Sequence, residues 1–455
     1  MSEDTITAIA TPLGEGGLAV IRISGPAALA VADRSFVPGG RHSRKPSEAV
    51  THTIHYGKIV RQNRQVDEVL LAIMRAPRTY TREDVVEITC HGGILSAKTV
   101  LDTILENGAR LAHPGEFTKR AFLSGRLDLV QAESVVDLIH SRTELALIAA
   151  NEQLTGKLSR RIGQLRDDLM NVLAHVEAHI DFPDEDIAPH AREELTARVE
   201  RAVVYMEELL RTANEGRILR RGIRVAIIGR PNAGKSSLLN QLLGRNRAIV
   251  STIPGTTRDT IEETANVRGL PMMFVDTAGL RETGDEIEEE GVRRSREALA
   301  QAELILHVFD SSDTLTEADK RYLADFADKK RILTRNKIDL PTKLELPRSG
   351  AAVVNVCCLT GQGIEQLKDA IKELVWAGEI KSEMLEVMIN ARHQDALKRA
   401  HQAAVHSLGA FRSGATIELV ALDLRSAVAA VGEIVGKTAN EDLLNSIFSQ
   451  FCIGK

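Results

Sequence analysis

The segment Gly229-Arg230-Pro231-Asn232-Ala233-Gly234-Lys235-Ser236 follows the apolar run Val225-Ala226-Ile227-Ile228 and opens an apolar-periodic stretch. It fits G-x-x-x-x-G-K-[ST], a strand, loop and helix unit whose backbone N–H groups and lysine cradle phosphates. Such a loop sits at the carboxyl end of a strand, so the surrounding chain must build an open α/β sheet. The motif lies in the middle of the chain, and any fold must account for long flanks on both sides.

With 455 residues, the chain has room for about three domains. The formal net charge of -5 excludes a uniformly basic surface, so any RNA contact must come from a local patch. The start, MSEDTITAIA, has no basic region and no long apolar core, so no secretory signal is expected. No apolar run reaches membrane-spanning length, which makes a soluble, cytoplasmic chain the expectation. Cys90, Cys357, Cys358 and Cys452 show no C-x-x-C spacing and suggest no disulfide framework.

Residues 1–119 read as a mixed α/β domain, with strand-like runs such as Leu18-Ala19-Val20-Ile21 and Val69-Leu70-Leu71-Ala72-Ile73 broken by Gly and Pro. From 120 to 215 the texture turns helical. Leu158, Ile162, Leu165, Leu169, Val172 and Val176 alternate spacings of four and three, an apolar helical seam. Phe182-Pro183-Asp184-Glu185-Asp186 should stop that helix, because proline blocks continuation. A second helix carries Leu195, Val199, Val203, Met206 and Leu210 on one face. Residues 216–379 alternate strand-like runs with helical segments and read as a doubly wound, mostly parallel sheet. Residues 380–455 return to helix. The simplest arrangement is a nucleotide-binding domain inserted into a helical bundle whose two flanks pack together, since neither flank buries its stripe alone.

Further motifs follow the phosphate loop in order. Gly255-Thr256-Thr257 offers a hydroxyl that can join Ser236 on Mg²⁺, and Asp276-Thr277-Ala278-Gly279 places a carboxylate and a glycine N–H near the terminal phosphate. Asn336-Lys337-Ile338-Asp339 supplies a carboxylate that accepts from guanine N1–H and its amine, which adenine would leave unpaired. The domain therefore reads as a GTPase. Leu280 stands where many signalling GTPases carry a water-orienting glutamine, so another group must position the water. Asn232 has a side-chain oxygen placed for a monovalent cation. The guanine-cradling loop reads Cys357-Cys358-Leu359 in place of the usual Ser-Ala-Lys; backbone contacts can persist there, so weaker side-chain support is expected without loss of specificity. The acidic run 281–290 reads, on its own, as a solvated switch segment.

The chain ends Phe451-Cys452-Ile453-Gly454-Lys455. A terminal cysteine alone reads as a frayed tail; the order of the pieces decides otherwise. A mixed N-terminal domain, a helical domain split by a GTPase, and the closing Cys-Ile-Gly-Lys resemble the MnmE (TrmE) family of tRNA-modification GTPases, among the TrmE-Era-EngA-like GTPases. The resemblance spans essentially the whole chain. It includes Thr11-Pro12 and the Gly-rich run to Arg22-Ile23-Ser24-Gly25, Cys90-His91-Gly92-Gly93, His113-Pro114-Gly115-Glu116-Phe117 and the Asp-Phe-Pro at 181–183.

The resemblance implies a homodimer through N-terminal domains similar to folate-binding domains. These would hold a one-carbon tetrahydrofolate (5-formyl or 5,10-methylene) through Arg22, Glu87, Arg126 and Lys455. Cations suit the glutamate tail of folate, and a carboxylate suits its pterin N–H groups. With the FAD-carrying, NADH-using partner MnmG, in a heterotetramer, such enzymes add an aminomethyl or carboxymethylaminomethyl group at C5 of the wobble uridine of certain tRNAs. Cys452 matches a functionally important cysteine whose role as nucleophile, acid/base or positioning group stays open. K⁺ and dimerisation of the G domains activate hydrolysis in the family. Asn232, Ser251, Ile253 and Thr256 match its K⁺ ligands, and Glu288 matches its catalytic glutamate, which reverses the bland reading of the acidic run. A carboxylate so far along reaches the site only on rearrangement, which couples hydrolysis to closure.

Motifs and resemblance together assign GTP binding to Asn232, Ala233, Gly234, Lys235, Ser236 and Ser237, to Ser251, Thr252, Ile253, Pro254, Gly255, Thr256 and Thr257, and to Asp276, Thr277, Ala278 and Gly279. They add Asn336, Lys337, Asp339, Cys357, Cys358 and Leu359, with Mg²⁺ on Ser236 and Thr257. Two competing readings are a ribosome-assembly GTPase, against which no downstream G-x-x-G loop in a basic strand and helix context is found, and a folate-dependent one-carbon transferase with a regulatory G domain.

Overall fold

The computed structural model describes residues 4–40, 44–181, 189–244, 263–275, 300–347, 349–376 and 382–454. Seven strands form the N-terminal sheet: β1 Ile6–Ile9, β2 Leu18–Ser24, β3 Phe36–Pro38, β4 Thr53–Arg61, β5 Arg64–Met74, β6 Val85–His91 and β7 Arg110–Leu111. Their order is β3-β4-β5-β6-β2-β1-β7. The period-two alternation of these strands divides two faces. Ala19, Ile21 and Ile23 of β2 and Val86, Ile88 and Cys90 of β6 are buried in one core, together with residues of the helices Ala28–Ser35 and Ile94–Glu106. The opposite face takes the intervening residues, and the register sets Arg22 directly across from Glu87. Between β4 and β5, Gln62 and Asn63 both have positive φ (50° and 61°), the backbone of a tight two-residue hairpin turn.

Four helices, Lys157–Asp181, Pro189–Arg211, Ala391–Ser413 and Ile417–Val435, share a single core. All six seam residues of the first helix are buried in it, beside Leu195, Val199, Val203 and Met206 from the second. The two flanks thus complete each other's apolar stripes, as the patterning predicts. The first helix ends at Asp181; the Phe182-Pro183 stop lies outside the described residues.

Between the flanks runs a six-stranded sheet of β8 Ile223–Ile228, β9 Glu263–Val267, β10 Leu270–Phe274, β11 Leu304–Asp310, β12 Arg331–Asn336 and β13 Ala352–Asn355, ordered β13-β12-β11-β8-β10-β9. All pairings are parallel except the β9–β10 edge hairpin. β8 has β10 on one side and β11 on the other, so strand order reverses there and opens a crevice at the carboxyl ends. The architecture is an N-terminal mixed α/β domain, a helical bundle, and a doubly wound nucleotide-binding domain inserted in that bundle.

The insertion is tied at its base. Helix Glu144–Leu154 buries Ala146 and Ala149 in the same core as Leu270, Trp376 and Met388. Lys157 pairs with Glu386 at 2.8 Å, Gln153 Nε2 donates to the Met388 carbonyl at 3.0 Å, and Thr212 Oγ1 donates to the Val387 carbonyl at 3.3 Å. The segment leaving the inserted sheet is therefore held against the helices that precede it.

Candidate functional site

The phosphate loop connects β8 to helix Lys235–Leu243, whose amino end opens on the crevice, where backbone N–H groups suit an anion. Two glycines are dictated by sterics. At Gly229 (φ 147°) a Cβ would lie 2.2 Å from the Val308 carbonyl oxygen. At Gly234 (φ 98°) it would lie 2.1 Å from Nδ2 of Asn336. Asn232 also has positive φ, 61°, a conformation that Asn tolerates better than most residues. The Lys235 ammonium bridges the carbonyls of Gly229 (3.0 Å) and Arg230 (2.9 Å), poised over the loop, and burial lowers its pKa. Arg230 turns outward to Asp313 (3.0 Å) and Asp319 (3.2 Å), which anchors the loop's rim to helix Glu317–Asp325.

Asn336, at the carboxyl end of β12, is buried and staples two loops. Its Nδ2 donates to the Ala233 carbonyl at 2.9 Å, and its Oδ1 accepts from the Cys358 N–H at 3.1 Å. Gln241 Nε2 adds a bond to the Cys358 carbonyl at 2.7 Å. The Cys358 peptide is thus held through its backbone N–H and carbonyl. Burial pushes the Cys358 thiol up to about 11, which keeps it protonated. Lys337 (φ 62°) pairs with Asp310 at 2.6 Å. Burial would raise the Asp310 carboxyl, but Lys337 and Ser312 outweigh it and hold it low. Asp339 is exposed at the crevice, with the Cys357 Sγ 3.1 Å from its Oδ1. Ser236 and Ser237 lie in the first turn of the helix after the loop, and Leu359, next to Cys358, is exposed.

Among the described residues no group of three or more His, Cys, Asp or Glu is placed for a metal. Mg²⁺ in a P-loop site is held by side-chain hydroxyls, phosphates and water. Ser236 is the described residue that would hold it. Ser251, Thr252, Ile253, Pro254, Gly255, Thr256, Thr257, Asp276, Thr277, Ala278, Gly279 and Glu288 lie outside the described residues, as does Lys455.

A second cluster forms on the outer face of the N-terminal sheet. Arg22 Nε donates to Glu87 Oε1 at 2.8 Å, and its Nη1 donates to the Gly454 carbonyl at 3.2 Å. The Arg22 guanidinium carbon lies 5.7 Å from the Phe117 ring centroid and 6.0 Å from that of Tyr80. The Arg126 guanidinium carbon lies over the Tyr80 ring at 4.8 Å, and its Nη1 donates to the Tyr80 carbonyl at 3.3 Å. The C-terminal tail is anchored here rather than frayed. Phe451 is buried with Leu129 and Phe448, and the Gly115 N–H meets the Cys452 carbonyl at 3.4 Å. A Cβ on Gly454 would strike the Ile9 carbonyl at 2.5 Å. Cys452 is exposed.

The fold therefore brings Arg22, Glu87, Arg126 and the tail bearing Cys452 to one place, across 432 residues of sequence in the Arg22–Gly454 bond. An aromatic ring close to two guanidinium groups, with a carboxylate alongside, fits a flat, partly anionic heterocycle. Tyr80 and the Gly454 carbonyl escape sequence reasoning. The run Arg78-Thr79-Tyr80-Thr81-Arg82 has the aromatic-among-cations composition that could have flagged Tyr80.

A phosphate loop stapled through a buried asparagine to a base-cradling loop, at the switch point of a doubly wound sheet, defines a P-loop GTPase. Residues 5–126 match the family model described as the GTP-binding protein TrmE N-terminus, and residues 129–452 match that of the MnmE helical domain. A tRNA modification GTPase MnmE of Geobacillus kaustophilus is 48% identical over 99% of this chain and 99% of its own. Its namesake in Geobacter metallireducens is 48% identical over 100% and 99%. The G domain of the T. maritima FeoB iron transporter aligns at 30% identity over 33% of this chain and 98% of that one, with a TM-score of 0.26. With so low a score, the assignment rests on the full-length relatives. The chain belongs to the MnmE family of tRNA modification GTPases.

Proposed function

We propose that this chain hydrolyses GTP to GDP and phosphate in order to drive modification of the wobble uridine of certain tRNAs. In this reading it acts as a cytoplasmic homodimer bound to the FAD-dependent partner MnmG. The G unit, taken as residues 216–379, divides a helical unit of residues 120–215 and 380–455, and residues 1–119 form the folate-binding and dimerising unit. The observation that carries the reading is the convergence of Arg22, Glu87, Tyr80 and Arg126 with the Cys452 tail in a chain that also carries a GTP site.

In the G unit, the 229–236 loop and Lys235 bind the phosphates, Ser236 and Thr257 hold Mg²⁺, and Asp339 reads guanine. Asp276, Thr277, Ala278 and Gly279 meet the terminal phosphate. Asn232, Ser251, Ile253 and Thr256 hold K⁺, whose charge stabilises the transition state where an arginine finger otherwise would. Glu288 orients the attacking water after the two G units close on each other. In the N-terminal unit, Glu87 accepts from the pterin N–H groups, while Arg22, Arg126 and Lys455 meet anionic parts of the ligand. A one-carbon tetrahydrofolate held there would supply the carbon added at C5. Cys452 stands beside that cluster to act on the uridine.

Nucleoside analysis of tRNA from a strain lacking this chain tests the proposal. Loss of the C5-modified wobble uridine, restored by the wild-type chain and not by Cys452→Ser, is the expected result. Normal tRNA accompanied by arrested ribosome assembly would overturn it in favour of an assembly GTPase. Glu288→Ala is expected to keep GTP binding and lose most turnover; near-normal K⁺-stimulated turnover in that variant sinks the role given to Glu288. Exchange of K⁺ for Na⁺ should slow hydrolysis markedly, and equal rates in the two salts would count against the cation site.

A further inference from the structure

The segment Arg78-Thr79-Tyr80-Thr81-Arg82 alternates in sequence, and its threonines turn inward. Thr79 and Thr81 are buried: Thr79 Oγ1 donates to the Glu83 carbonyl at 2.6 Å, and Thr81 Oγ1 lies 2.7 Å from Ser24 Oγ. Arg78 and Arg82, on either side of these anchors, are exposed. Arg82 Nη1 donates to the Ser124 carbonyl at 2.8 Å, and Arg126 Nη1 donates to the Tyr80 carbonyl, so the segment is laced to the turn at 124–126. Lys119 stands one helical turn after Gly115, whose N–H meets the Cys452 carbonyl. It is partly exposed and donates to Asn445 Oδ1 at 2.8 Å.

The charges here are unbalanced. Among the described residues, Arg78, Arg82, Lys119 and Arg126 are in no ion pair, and the hydrogen bonds of the last three go to neutral acceptors. The carboxylates close by in sequence are engaged inside. Glu83 is held by the buried Arg120 and by Ser24, Glu116 by Arg110 and Arg120, and Asp84 by the Ala76 N–H. Glu441 and Asp442 occupy the first turn of helix Glu441–Phe448, where they complement its own dipole. A chain of formal net charge -5 thus presents a positive rim beside its tail. Guanidinium groups on an anchored backbone suit phosphate oxygens, and little ordering is needed when they bind.

We propose that Arg78, Arg82 and Lys119 form a docking rim for the phosphate backbone of the tRNA anticodon arm, beside Cys452. The proposal rests on the reading that Cys452 acts on the wobble uridine. Phosphate contacts of this kind fix position and carry no sequence information. They hold the arm so that a nucleotide turned out of the loop's stack reaches the thiol, and the ligand-binding Arg126 stays free for its own role.

Fluorescence anisotropy of the full-length chain with an unmodified tRNA transcript, its isolated anticodon stem-loop and its acceptor-arm minihelix tests this. Arg78→Ala/Arg82→Ala/Lys119→Ala is expected to weaken the transcript and the stem-loop about 10-fold or more. Between about 50 and 200 mM KCl its slope of log K against log salt should be shallower by about 2.1–2.7, the counterion release of three phosphates. Arg78→Lys/Arg82→Lys, which keeps every charge, should retain the wild-type slope. Binding of the minihelix, GDP affinity and the melting temperature should not move in either variant. A wild-type chain that fails to bind the transcript, or an alanine variant with wild-type affinity and slope, would overturn the rim. An equal loss on the minihelix would overturn it too, since the surface would then hold any polyanion. A strain lacking the chain that still carries the modified uridine would sink the reading of Cys452 instead, a result the binding data do not touch.

Discussion

Gly234→Ala is expected to lower GTP and GDP affinity about 100-fold while leaving the fold intact. The backbone there has φ 98° and ψ 25°, where an L side chain is strained by about 1–2 kcal/mol. A methyl group would also lie 2.1 Å from Nδ2 of Asn336, a clash that neither group can relieve by rotation alone. Asn336 is fixed by the Cys358 N–H on its other side, so the phosphate loop must shift. That shift breaks the Asn336–Ala233 bond, a buried pair whose loss costs about 1–3 kcal/mol. The two terms together span the 2.7 kcal/mol or so that corresponds to a factor of about 100. Both fall on the cradle that holds the phosphates. Titration with a fluorescent GDP analogue measures the effect, and the melting temperature without nucleotide controls for folding. GDP affinity within about 3-fold of wild type in a well-folded variant would show that the loop tolerates a side chain there, against the steric argument.

Much of this site was legible in the sequence because it is local. The phosphate loop announces itself through eight consecutive residues and the apolar strand before them, and β8 and β11 read as near-continuous apolar runs because both faces are covered. The seam from Leu158 to Val176 is legible for the same reason, as its 3.6-residue period is a property of one helix. Long-range pairings carry no such signal. Nothing in the strand containing Arg22 says that Glu87, 65 residues away, will stand across from it; register decides that, and register is set by the whole sheet. The motif containing Asn336 announces guanine recognition but not the staple its amide makes between two loops, because Ala233 is 103 residues upstream. Tyr80 reads as one more aromatic residue until the guanidinium groups of Arg22 and Arg126 are seen 6.0 Å and 4.8 Å from its ring centroid.

Glu133→Ala is expected to destabilise the helical unit by about 3–5 kcal/mol, the range for leaving a buried charge without its partner. Glu133 sits on helix Leu129–His140, before the inserted domain, and its partners come from the chain after that domain. Arg392 donates to its carboxylate through Nε and Nη2, each at 2.9 Å, His393 Nε2 lies at 2.8 Å, and Asn390 Nδ2 lies at 3.1 Å. Burial would raise the Glu133 carboxyl, yet His393 and Arg392 overcome it and hold the group well below the usual carboxylate range. His393 is kept neutral by its burial; with Nδ1 accepting from the Asn390 N–H, its proton is on Nε2 and points at Glu133. Arg392 also donates to the carbonyls of Glu433 (3.0 Å) and Ile434 (2.8 Å), the open end of helix Ile417–Val435. Removing Glu133 leaves that guanidinium facing an apolar core with only two neutral acceptors. The same reasoning predicts a rescue: in Glu133→Gln/Arg392→Met both charges are gone and the amide oxygen can still accept from His393 and Asn390, so most of the loss should be recovered. Urea unfolding of the two variants followed by circular dichroism separates the cases. A loss below about 1 kcal/mol in Glu133→Ala, or a double variant no more stable than the single one, would show that the flanks are joined by packing of their apolar stripes alone and that the ion cluster adds nothing to it.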